Sequence, residues 1–172
     1  MTTAPSPLID DRTSGDLNSN LGTRWQFIAD TVMGGVSRGG LDAAVVDGRP
    51  CLHLTGRVSL ANNGGFVQAG LDLRAAGLLD AGGWSGIEVD VRGNGETYNL
   101  HLRTIETRIV WQSYRASFVA GPHWTPVRLP FAAFQPHAIE RPLDLSVLRR
   151  LGLVAIGREM VVDLCCARLA FY

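Results

Sequence analysis

Lysine is absent: all 16 basic residues of this 172-residue chain are arginine. That excludes a Schiff-base lysine and the phosphate-gripping lysine of a P-loop, and it suits a GC-rich, bacterial genome. Charge of either sign is not in excess, since 16 acidic residues balance the arginines. The chain therefore lacks the basic footprint of a nucleic-acid or anionic-membrane binder, and neither partner is expected. Long hydrophobic runs are missing too. No stretch approaches the ~20 apolar residues of a membrane helix, and no apolar segment follows a basic start as in a secretory signal. A soluble, cytoplasmic protein is expected, reaching the inner membrane only peripherally, through a partner.

Cysteine is scarce and odd in number: Cys51, Cys165 and Cys166. Adjacent residues of a strand point to opposite faces, so Cys165 and Cys166 cannot easily bridge or share a metal. Buried free thiols in a reducing compartment are expected. Length allows one domain with one core. Residues 1–20, rich in Thr, Ser, Pro, Asp and Asn, read as a flexible N-terminal arm, and residues 21–172 as the domain.

The domain reads as short strands. Leu52, Leu54, Val58 and Leu60 share one parity and His53, Thr55, Arg57 and Ser59 the other, the pattern of a half-buried strand. Ile87, Val89 and Val91 alternate with Glu88, Asp90 and Arg92. After Gly93-Asn94-Gly95, Tyr98, Leu100 and Leu102 alternate with Asn99, His101 and Arg103, which predicts a hairpin. A further strand runs from Val110 to Phe118 with Trp111, Ser113 and Arg115 on one side. Phe131 and Phe134 look like plugs beneath a loop. Only Asp144 to Leu151, with Leu145, Leu148 and Leu151 at helical spacing and Asp144 as N-cap, suggests a helix. The nearly continuous apolar segments 153–156 and 161–171 fit central strands. Short strands between Gly and Pro turns predict an all-β fold, an antiparallel two-sheet β-sandwich. No GxGxxG opens a helix, so a Rossmann domain is not expected.

Two Gly-Gly turns stand out: Asp30-Thr31-Val32-Met33-Gly34-Gly35-Val36-Ser37 and Asn62-Asn63-Gly64-Gly65-Phe66. Glycine supplies unusual backbone angles or close approach, while Asp30, Ser37, Asn62 and Asn63 can hydrogen-bond the turn backbone. An architectural role is favoured over ligand contact, and both hold if the turns shape a rim.

Catalytic patterns are weak. Glu88 and Asp90 alternate like the carboxylates of a jelly-roll glycosidase, but the next position on that face is Arg92, which cannot serve as the second acid. A glycoside hydrolase is the minor alternative, and no catalytic residue is assigned. His53, His101, His123 and His137 show no HxH or HExxH spacing, so no metal or cofactor is expected, although a sheet can bring distant residues together. If the faces of Asn99, His101 and Arg103 and of Trp111 and Arg115 coincide, they form a polar surface with one aromatic. Such a surface could stack on a sugar or receive a protein.

The motifs, taken in order, resemble the CIA30 family, named for the complex I intermediate-associated protein of mitochondria. The resemblance rests on Trp25 with the Asp30 to Ser37 run and on Gly56 through Phe66. It continues through Ser85-Gly86-Ile87-Glu88, Arg92-Gly93-Asn94-Gly95, Tyr98 with Arg103, Tyr114 to Phe118, Leu129-Pro130-Phe131 with Phe134, and Pro142-Leu143-Asp144-Leu145. It runs from about residue 20 to the C-terminus. This chain departs where the family often has Gly-Asp-Gly for residues 93–95, an arginine where Gly70 stands, and a basic loop in place of His137-Ala138-Ile139-Glu140. The resemblance implies a galactose-binding-like jelly roll similar to carbohydrate-binding modules. It also implies a chaperone or assembly factor for respiratory complex I, not a catalyst, whose partners are complex I subunits or assembly factors. The alternative is a carbohydrate-binding module.

Overall fold

A computed structural model describes residues 6–172. Among the described residues are twelve strands: β1 (Leu8–Asp10), β2 (Gln26–Ala29), β3 (Arg38–Val46), β4 (Arg49–Val58), β5 (Phe66–Asp72), β6 (Gly86–Gly93), β7 (Thr97–Thr104), β8 (Ser113–Val119), β9 (Thr125–Pro130), β10 (Gln135–His137), β11 (Leu148–Ile156) and β12 (Met160–Phe171). Every pairing between them is antiparallel. One sheet has the order β3-β4-β12-β6-β9 with β1 added to β12, and the other β10-β8-β7-β11-β5-β2. The expected two-sheet jelly-roll sandwich is what forms. No helix among the described residues is long and apolar enough to cross a membrane.

Period-2 patterning places the core. Ile87, Val89 and Val91 of one sheet and Leu100, Leu102, Leu151 and Leu153 of the other are buried between the layers, each large aliphatic contributing about 1.5–3 kcal/mol of transfer free energy. The most apolar segments, β11 and β12, lie inside their sheets as their composition predicts. Phe131 and Phe134 are buried plugs. All three cysteines are free and buried. Cys166 faces the main core, while Cys165 joins Cys51 and Ala167 in a small cluster apart from it, as neighbours of opposite parity must.

Four expectations are corrected. The segments 86–93 and 97–104 are not a hairpin: β6 pairs with β12 and β9, and β7 with β11 and β8. The Gly93-Asn94-Gly95 turn carries the chain between sheets, its amides at Gly93 and Gly95 donating to Gly121 and Ala120 at 2.8 and 2.7 Å. Asp144 to Leu151 is not a helix but a 3-10 turn over Leu145–Val147 leading into β11, although Asp144 does cap it, accepting from the Ser146 amide. A register shift between Leu148 and Arg150 explains the misleading spacing. Such an irregularity lets two inward residues, here Leu148 and Leu151, stand three apart in a strand. The strand expected from Val110 begins at Ser113 instead, leaving Trp111 in the preceding loop.

The fourth correction concerns the N-terminal arm, of which residues 1–5 lie outside the described residues. From Leu8 it is part of the fold, β1 pairing with the end of β12 that β4 leaves open. Asp10 and Arg12 form a buried ion pair at 2.7 Å. The same carboxylate accepts from the Trp25 indole at 2.6 Å, and the guanidinium donates to the Asp16 and Asn18 carbonyls. Asp10→Ala strands the Arg12 charge in the interior. Urea unfolding is expected to show a loss of roughly 3–5 kcal/mol, whereas a loss near that of a surface substitution would mean the segment is only loosely attached.

Candidate functional site

The two Gly-Gly turns meet on one side chain. After β2, a 3-10 turn spans Asp30–Met33 and ends at Gly34, whose φ of 87° is left-handed. Asp30 is fully buried. Its Oδ1 accepts from the Ser37 amide at 3.0 Å. Its Oδ2 accepts from the Ser37 hydroxyl at 2.5 Å, the Gly65 amide at 2.6 Å and the Phe66 amide at 3.3 Å. The Ser37 oxygen in turn accepts from the Ser59 amide at 2.9 Å. A Cβ on Gly35 would lie 2.4 Å from the Asp30 carboxyl carbon, and one on Gly64 would lie 2.5 Å from Oδ2, so both glycines are required by close approach. Burial pushes the Asp30 carboxyl up, but the donors at Ser37, Gly65 and Phe66 outweigh it and hold the group below its ordinary value.

The tied turns form one rim of a cleft of about 340 Å³ on the outer face of the sheet containing β7 and β11. Val32 and Met33 of the first turn, and Asn63, Gly64, Gly65 and Phe66 of the second, line it. Its floor follows from register. Gly152 lies opposite both Gly70 and His101, and His101 opposite Arg115. A Cβ on Gly152 would lie 2.7 Å from the Gln68 side-chain oxygen and one on Gly70 3.3 Å from Ile28 Cδ1, so the Gln68 and Ile28 side chains lie across these two glycines. Gln68 and Val154 are in register with each other.

Opposite the turns, the loop before β8 raises Val110 and Trp111, the latter 58% exposed, beside Ser113, Arg115 and His137. Arg103 fixes this loop from below, donating to the carbonyls of Thr107 at 2.7 Å and Ile109 at 3.2 Å.

The polar face expected from β7 and β8 thus exists, and it gathers His101, Arg103, Trp111 and Arg115. Asn99 shares their strand face but does not line the cleft. Met33, Asn63, Gly64, Gly65 and Phe66 join them, whereas Asp30, Gly34, Gly35, Ser37 and Asn62 stand behind the rim. Sequence reasoning missed Ile28, Gln68, Arg150 and Gly152. Their signal was outward parity on β2, β5 and β11, which becomes informative only when the strand order is known.

His101 is 9% exposed and its Nε2 has no hydrogen-bond partner. Burial, then Arg115 and His137, push its pKa down to about 3, so the ring is neutral at neutral pH. Arg103 Nε is likewise buried without a partner.

The opposite sheet looks different. Glu88 pairs with Arg128 at 2.7 Å, Asp90 with Arg49 at 3.0 Å, and Arg92 with Asp47. The carboxylates of the glycosidase-like strand are therefore held by guanidinium groups on the sheet that does not carry the cleft. His53, Asp163 and Cys165 bring donor atoms within 4.8 Å of one another there, a cluster invisible to linear spacing. Burial, then Cys51, push the Cys165 thiol up to about 12, so it is protonated at neutral pH. His123 lies exposed in the loop between β8 and β9.

The unfolded chain takes up a proton on His101 near pH 6.5, while the folded chain refuses it until about pH 3. Stability is therefore lost as pH falls through that window, where the unfolded state binds more protons. The fall in melting temperature between about pH 7.5 and about pH 4.5 should be roughly 5 °C smaller in His101→Gln than in the native chain. An unchanged fall would mean that His101 titrates normally.

The sandwich resembles solved structures over nearly its whole length. The family 11 carbohydrate-binding module of the cellulosomal cellulase Lic26A-Cel5E of Clostridium thermocellum superposes with a TM-score of 0.75 at 13% identity, covering 99% of this chain and 95% of that one. The family 11 module from the same organism in complex with a β-1,3-1,4-mixed-linked tetrasaccharide gives 0.73 at 13% identity, covering 98% and 96%. A family 30 carbohydrate-binding module of the Clostridium thermocellum cellulase Cel9D-Cel44B gives 0.59 at 17% identity, covering 80% and 90%. These likenesses are of fold. No curated protein sequence matches. The family described as complex I intermediate-associated protein 30 matches residues 16–161, and the chain belongs to that CIA30 family.

Proposed function

We propose that the protein is a non-enzymatic binding module whose cleft takes a saccharide segment. The observation that carries this reading is the trough itself: Gln68 and Ile28 across its floor, an exposed indole at Trp111 on one wall, and the polar side chains of His101, Arg103 and Arg115 beside it. A sugar ring presents an apolar face to an aromatic and hydroxyls to polar groups, and the trough offers both. The fold shared with carbohydrate-binding modules supports the same reading. The paired state of Glu88 and Asp90 supports a role without catalysis. Calorimetric titration with glycans selected on an array is expected to show binding that weakens about tenfold or more, or about 1.4 kcal/mol, in Trp111→Ala. A blank array with folded protein would end this reading.

A second reading, a chaperone-like contact with complex I subunits or assembly factors, is favoured by the family match and by Val32, Met33, Val110 and Trp111, which stay exposed on the two rims. Exposed apolar and aromatic groups around a depression suit a protein partner. Cross-linked capture from host membranes should then recover NADH dehydrogenase components, and deletion should impair assembly of that complex. Intact assembly in the deletion strain would remove this reading.

A further inference from the structure

The cleft carries cations without counter-charges. Arg103, Arg115 and Arg150 line it together with His101 and His137, and no aspartate or glutamate does among the described residues. Arg150 is neutralised from outside the cleft by Asp72 at 3.0 Å. Arg103 and Arg115 have no carboxylate partner among the described residues: Arg103 donates only to the two loop carbonyls, and Arg115 only to the Ser113 hydroxyl at 2.9 Å. The chain as a whole is neutral, so this excess is local. It contrasts with the other sheet, where Arg49, Arg92 and Arg128 each meet an acid.

A guanidinium drawn partly out of water without an opposite charge is a cost that the fold carries unrelieved. Burial lowers the pKa of both arginines, and Arg150 and Arg149 lower that of Arg103 further, which reflects the same unfavourable setting. The guanidinium fork matches the geometry of a carboxylate or sulfate, and charge-assisted hydrogen bonds to such a group are about twice as strong as neutral ones. The Arg103 Nε and the His101 Nε2 are enclosed and have no hydrogen-bond partner.

Resting on the saccharide reading of this cleft, we infer that its ligand is an acidic saccharide, whose carboxylate or sulfate sits between Arg103 and Arg115 while its ring stacks on Trp111. Nothing in the lining repels an anion, and an uncharged sugar would leave both guanidinium groups unpaired.

The test is calorimetric titration of the full chain with three oligosaccharide sets of equal length: uronic-acid oligomers, sulfated oligomers and uncharged oligomers. Each is run in about 20 mM and about 200 mM salt. At low salt at least one acidic set is expected to bind tenfold or more tighter than the uncharged set, and the tighter of the two identifies the oxyanion. The advantage of the acidic set over the uncharged set should shrink at high salt and in Arg115→Gln. If Arg115→Gln does not fold, the salt comparison on the native chain decides. Uncharged oligomers binding as tightly as both acidic sets would overturn this inference and leave the saccharide reading standing. No binding by any set would overturn both.

Discussion

The Asp30 carboxylate sits where two otherwise unrelated turns must meet. It draws in the amides of Ser37, Gly65 and Phe66 and the Ser37 hydroxyl, and Ser37 extends the link to the Ser59 amide. A buried charge is tolerated only when hydrogen bonds replace its lost hydration, and four donors do that here. The glycines at 35 and 64 follow from this, since a side chain at either would occupy the space of the carboxyl group. Each hydrogen bond to such a charged group contributes roughly 1.5–3 kcal/mol. The rim carrying Val32, Met33 and residues 63–66 therefore takes its shape from one residue.

The rim is half of a cleft whose other half is set by the opposite end of the same sheet. Arg103 pins the loop that lifts Trp111, the β7–β8 register places His101 beside Arg115, and Gly70 and Gly152 leave room for the Ile28 and Gln68 side chains across the floor between. The two outer faces of the sandwich then diverge in electrostatics. One is laced by arginine–carboxylate pairs, exposed contacts of the kind that contribute little each. The other keeps Arg103 and Arg115 unpaired around the depression.

Much of this was legible in the residues. Strand parity identified the inward faces of β4, β6 and β7, the split of Cys165 from Cys166, and the common face of His101 and Arg103, because the period of two is local. The Gly-Gly turns were legible as architecture through their Asx and Ser neighbours. The partner that each turn needs was not, since Asp30 lies 35 residues from Gly65 in the chain. Sheet membership was equally hidden. The alternation on either side of Gly93-Asn94-Gly95 is the same whether the strands pair or face each other across the core, and only the latter occurs. The register shift before Arg150 imitated a helical interval at Leu148 and Leu151. Arg12 and Asp10 looked like polar arm residues because nothing in a linear pattern distinguishes a buried ion pair from two solvated charges. Gln68, Arg150 and Gly152 entered the site only through the order of strands.

The dependence on Asp30 can be read most directly from hydrogen exchange at the amides of Ser37, Gly65 and Phe66. In the native chain at neutral pH they should exchange slowly, like core strand amides, although Ser37 and Gly65 lie outside any strand. In Asp30→Ala they should exchange like exposed loop amides. In the native chain the protection should persist below the ordinary carboxylate value of 3.8 and vanish as pH falls through the lower value of the folded Asp30. Rapid exchange in the native chain at neutral pH, or slow exchange that survives Asp30→Ala, would contradict the account.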